Sequence, residues 1–145
     1  MLTTTFSVAL GGAIGATLRY LVGIATLRLA GPGFPWGTLT VNVAGSAAMG
    51  ALVVILAQTS GTRFAPFLMT GLLGGFTTFS AFSLDTIVLI ERGATGQAAL
   101  YVAASLALSA TFGFTNLFAL GSDVSLGSVA DGGVGFCTPD FQQIQ

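Results

Sequence analysis

Charge is nearly missing from this chain, and the places where it is missing decide what the chain can fold into. No Asp, Glu, Lys or Arg occurs from Leu2 to Leu18, from Leu29 to Thr62, from Phe64 to Leu84 or from Gly93 to Ser122. A helix needs about 20 apolar residues to cross a bilayer, and each run is roughly that long or longer. Four spans follow: Leu2–Leu27, Trp36–Gln58, Phe64–Ile90 and Gln97–Leu120. Gly31, Pro32, Gly33 and Pro35 make the first loop, Thr59 to Arg63 a polar turn, and Glu91 to Gly96 another. Only 6% of the chain is charged and 53% is hydrophobic, where a soluble domain is about 25% charged. A soluble bundle would need a polar helix face for water, and no span has one. The expected fold class is an all-α integral membrane protein. Its four transmembrane helices occupy 1–120, and a polar tail, expected to be disordered, occupies 121–145.

The same composition removes several functions. Four basic residues cannot form the patch that displaces counterions from nucleic acid, so no nucleic-acid partner is expected. There is no His, the usual proton shuttle, and no nucleophile–base pair, so no enzyme is expected. The single Cys137 lies in the tail and excludes an intrachain disulfide or a cysteine metal cluster. The N-terminus lacks a basic segment and reads as a first span rather than a leader. Orientation is weakly set. Arg28 and Arg92 fall on one side and Arg63 on the other. Either these two fix one orientation, or the chain inserts both ways and pairs as an antiparallel dimer.

Polar residues inside lipid need partners, so their placement is informative. Gly11, Gly15, Arg19 and Gly23 share one face of the first span. The glycine pair suits close helix approach. Arg19 either snorkels to an interface or lines a wet vestibule that attracts anions. Thr38, Asn42 and Ser46 form a stripe on the second span, and Tyr101, Ser105 and Ser109 one on the fourth. Each stripe reads either as interhelical glue or as the lining of a pore. In the third span Gly74-Gly75 followed by Thr77 and Thr78 is poor helix sequence. It gives either a kink or a broken helix whose freed carbonyls hold a monovalent cation. Phe79 and Phe82 share a face; they are either filler or ring edges turned to an anion. Asp85 is either a helix-end acid in water or the one titratable group a proton-coupled exporter would need. Neutral donors without an internal acid favour a passive anion path.

GGAIGATLRY (Gly11–Tyr20), GTLTVNVAGS (Gly37–Ser46), GLLGGFTTFSAF (Gly71–Phe82) and the Tyr101/Ser105/Ser109 spacing resemble the Fluc (CrcB) family of bacterial fluoride channels. The resemblance covers residues from about 11 to 109. It implies an antiparallel, dual-topology homodimer in the bacterial inner membrane, with two separate fluoride pores per dimer. It also implies a structural sodium ion at the dimer centre, held by the Gly74 and Thr77 carbonyls at a break in the third helix. The implied pore residues are Phe79, Phe82, Asn42, Thr38, Thr78, Tyr101, Ser105 and Ser109, with Arg19 in the vestibule. The implied partners are fluoride, a second copy and the lipid bilayer. The family's chains end soon after the fourth helix, and Gly121–Gln145 lies outside the likeness. One rival is a small four-helix, dual-topology multidrug or cation exporter, which should carry an acid in its first span; Leu2 to Leu27 has none. Another is a non-transporting assembly subunit held by Gly11 and Gly15, which leaves the polar stripes unexplained.

Overall fold

The computed structural model describes residues 1–59 and 61–129, and among these every regular element is helical. Helix α1 spans Leu2–Ala30 and α2 spans Trp36–Gln58. A 3-10 turn at Gly61–Phe64 leads into a π-helical segment, Pro66–Leu73. One α-helical turn follows, α3, Gly74–Phe76, and then α4, Phe79–Glu91. Between α3 and α4, Thr77 (φ −77°, ψ 158°) and Thr78 (φ −154°, ψ 117°) are extended. Helix α5 begins at Thr95 and continues to Val129, beyond the span end expected at Leu120. The remainder of the expected tail, 130–145, lies outside the described residues. Among the described residues, four stretches are long and apolar enough to cross a membrane: Leu2–Ala30, Trp36–Gln58, Pro66–Glu91 and Thr95–Leu120.

The ends of the spans have local causes. Arg28 sits in the last turn of α1, where a cation complements the helix dipole, so the helix passes it. Gly31 then takes φ +77°, a conformation glycine tolerates, and its amide donates to the Leu27 carbonyl. Pro32 cannot continue the helix. At the start of α4 the Thr78 side chain accepts from the Ala81 amide at 3.2 Å, an N-cap bond.

Helix α1 packs mainly on the π-helical segment, and α2 mainly on α5. The first contact is made backbone to backbone. Gly11 and Gly15 face Gly71, Leu72 and Phe76, while Gly75 faces Gly12. The glycine pair of the first span therefore meets another part of the same chain. A β-carbon on Gly75 would lie 2.7 Å from the Gly12 carbonyl oxygen. Gly75→Ala should cost about 1–3 kcal/mol through overpacking, seen as a lower melting temperature in detergent. An unchanged melt would mean that the two backbones part freely. The α2–α5 crossing repeats the device, with Gly50 against the Gly113 backbone.

The apolar cluster Leu39, Leu89, Ala98 and Tyr101 joins α2, α4 and α5, with Phe34, Val43 and Phe82 packed on it. By contrast Leu2, Phe6, Leu10, Leu18 and Leu21 of α1 are exposed. An apolar outer surface is what hydrocarbon accepts and water does not.

Candidate functional site

Asn42 binds both backbone groups of one residue of the extended pair, Thr78. The Thr78 amide donates to Asn42 Oδ1 at 2.7 Å, and Asn42 Nδ2 donates to the Thr78 carbonyl at 3.0 Å. A side-chain amide presents both groups a backbone peptide presents, so Asn42 supplies the acceptor an unbroken helix would give the Thr78 amide and adds a donor to the carbonyl that caps α4. The amide nitrogen has two hydrogens, and this arrangement uses one. On the other side, Arg19 Nη1 donates to the Thr77 carbonyl at 3.3 Å. Arg19 is half-buried and lines a cavity of about 370 Å³ with Thr38, Thr78, Asp85 and Arg92. Arg19 thus borders this cavity and contacts a backbone carbonyl at once.

Thr38 and Tyr101 converge on one carboxylate. Thr38 Oγ1 donates to Asp85 Oδ2 at 2.6 Å, and the Tyr101 hydroxyl donates to the same oxygen at 3.4 Å. Each belongs to its own stripe of neutral donors, and in this arrangement both protons are spent on Asp85. Sequence reasoning set Asp85 apart as an acid in water or a proton carrier. Its actual neighbours were not legible, because they come from α2 and α5, 47 and 16 residues away. The available signal was its position three residues after Phe82, on the face Phe82 shares.

The ring of Tyr101 is fully buried. Phe82 lies against it with centroids 5.3 Å apart, and Phe79 lies 5.6 Å beyond Phe82. Phe79 itself is 77% exposed. Thr78 is the N-cap described above, and its hydroxyl also sits 3.2 Å from Ser80 Oγ. Ser105, one turn along α5 from Tyr101, is 5% exposed, and its Oγ has no hydrogen-bond partner among the described residues. A buried hydroxyl without a partner is costly, so such a group marks a place where something polar belongs. Ser109 follows one turn further on and is half-buried. Gly74, whose carbonyl the resemblance assigns to a cation, is exposed in a single chain.

A family model described as CrcB-like protein, Camphor Resistance (CrcB), matches residues 6–117. The chain belongs to the CrcB family. That CrcB match contains every site residue from Arg19 to Ser109. Among its CrcB relatives, a protein of Ruegeria sp. (strain TM1040) is 62% identical over 110 residues, covering 75% of this chain and 87% of that protein. One from Cereibacter sphaeroides (strain ATCC 17029 / ATH 2.4.9) is 61% identical over 109 residues, covering 75% and 87%. One from Agrobacterium fabrum (strain C58 / ATCC 33970) is 54% identical over 119 residues, covering 81% and 94%. All three carry the name fluoride-specific ion channel FluC.

Proposed function

We propose that this chain is a fluoride-selective passive channel of the bacterial inner membrane that lets fluoride leave the cytoplasm. The observation that carries the reading is its 62% identity to a fluoride-specific channel across the stretch that holds the site. The chemistry supports it. Fluoride is small and strongly hydrated, so a path must replace its water with close donors. The second Asn42 N–H and the unpartnered Ser105 hydroxyl are such donors. The ring edges of Phe79 and Phe82 carry partial positive charge and hold an anion weakly enough to release it. Thr38 and Tyr101 reach the ion only when they turn from Asp85. Arg19 and Arg92 on the cavity wall raise the local anion concentration. Thr78 and Ser109 border the same route.

The extended Thr77–Thr78 pair is, in this reading, a break in a membrane-crossing helix. Two copies pair antiparallel, and the dimer has two separate pores. Such pairing would cover Phe79, which is open to the outside in a single chain. A structural sodium ion joins the copies through the Gly74 and Thr77 carbonyls. The residues fit this ion. The Thr78 amide, four residues past Gly74, is engaged by Asn42, so the Gly74 carbonyl lacks its usual helical donor. Thr77's carbonyl receives Arg19 on one lone pair and keeps the other. Freed carbonyls of broken membrane helices suit a hard monovalent cation. Bound there, the ion supplies fixed positive charge and a cross-link between subunits.

Liposomes loaded with fluoride and carrying the purified protein test the reading. A fluoride electrode should record fast release, and a chloride-loaded control should record little. Absence of fluoride release from folded protein would remove the channel.

A further inference from the structure

The first loop does more than join α1 to α2. Pro35 has φ −79° and ψ 60°, and the Trp36 amide donates to the Phe34 carbonyl at 2.8 Å. These are the angles and the bond of an inverse γ-turn, and proline locks its φ. The turn fixes where Phe34 leaves the backbone. Trp36 packs at a tilt against the Phe34 ring, with centroids 4.7 Å apart and planes at 51°. Phe34 then meets Tyr101 edge to face, at 5.6 Å and 90°. Phe82 holds Tyr101 from α4 at 5.3 Å. Tyr101 thus has one ring against it from the loop and one from the pathway, and its hydroxyl lies on Asp85. Phe34 also lines the vestibule cavity.

We infer that Phe34 is a positioning residue: from its proline-locked turn it presses the Tyr101 ring against Phe82 and so sets where the Tyr101 hydroxyl points. The transport half of this inference rests on the channel reading. Edge-to-face pairs add directional preference to burial. Without the Phe34 ring, Tyr101 gains room on its cavity side and its hydroxyl wanders from Asp85.

Two measurements test it, one of which needs no transport. The chain has two tyrosines. In a Tyr20→Phe background the ring-carbon NMR signal of labelled Tyr101 reports its hydroxyl's hydrogen bonding. Phe34→Ala should shift and broaden that signal, and Phe34→Trp, which keeps an aromatic ring and adds no second tyrosine, should restore it, because half-buried Phe34 borders cavity space. Fluoride efflux should fall about tenfold in Phe34→Ala. The loss should not add to that of Tyr101→Phe, because both act through one hydroxyl. An unmoved Tyr101 signal, or fully additive losses, overturns the inference. Should Phe34→Ala fail to fold, Phe34→Leu and Pro35→Ala are read by the same two criteria. Wild-type protein that carries no fluoride defeats the channel reading alone, since the Tyr101 signal still decides the positioning.

Discussion

Asn42→Asp should abolish fluoride conduction. The substitution keeps the acceptor for the Thr78 amide but loses the donor to the Thr78 carbonyl, where two oxygens then face each other across a 3.0 Å contact. It also removes the spare N–H and puts a negative charge beside the anion's route. At about 4 Å and an effective dielectric near 20, two like charges repel by ~4 kcal/mol. That corresponds to roughly a thousandfold in occupancy. Efflux from liposomes measures it, with gel filtration confirming that the protein remains assembled. Conduction within a few-fold of wild type would place Asn42 outside the path and leave it a clamp only.

Phe82→Ile should have the next largest effect, a fall in fluoride flux of about a hundredfold. Isoleucine fills much of the same space, so the fold should lose under ~1.5 kcal/mol. What it lacks is the ring edge and the contact with Tyr101, 5.3 Å away. Phe79→Ile separates two possibilities. Phe79 is 77% exposed in one chain, so it matters to conduction only if a second copy closes over it. A matching flux loss in both variants supports two rings in one path inside a dimer. A silent Phe79→Ile with a slow Phe82→Ile would confine the path to a single chain. Normal flux in both would overturn the ring-edge reading.

The spans were readable because charge is so expensive in hydrocarbon that its absence draws their outlines. Trp36–Gln58 matches to the residue. Arg28 misled at the end of α1, because a last-turn arginine can continue a helix rather than stop it. The stretch after Arg63 was less legible: Pro66–Leu73 winds as a π-helix, and no spacing of apolar residues distinguishes five-residue from four-residue hydrogen bonding. Gly11 and Gly15 announced a close contact but not its partner. That partner is the backbone of Gly71, Leu72 and Phe76, about 60 residues away, and pattern alone carries no long-range pairing. In the same way Thr38 and Asn42 declared themselves polar, while their partners Asp85 and the Thr78 backbone emerged only with the packing.

The Asn42 clamp also bears on how the protein is made. A peptide group with no partner cannot rest in hydrocarbon. The Thr78 amide finds its partner on α2, not within its own span. Isolated in lipid, the segment from Pro66 to Glu91 would have to stay at the interface or rewind its extended pair. Biogenesis therefore has an order: the second span must already be in the membrane, close by, when the third comes to rest.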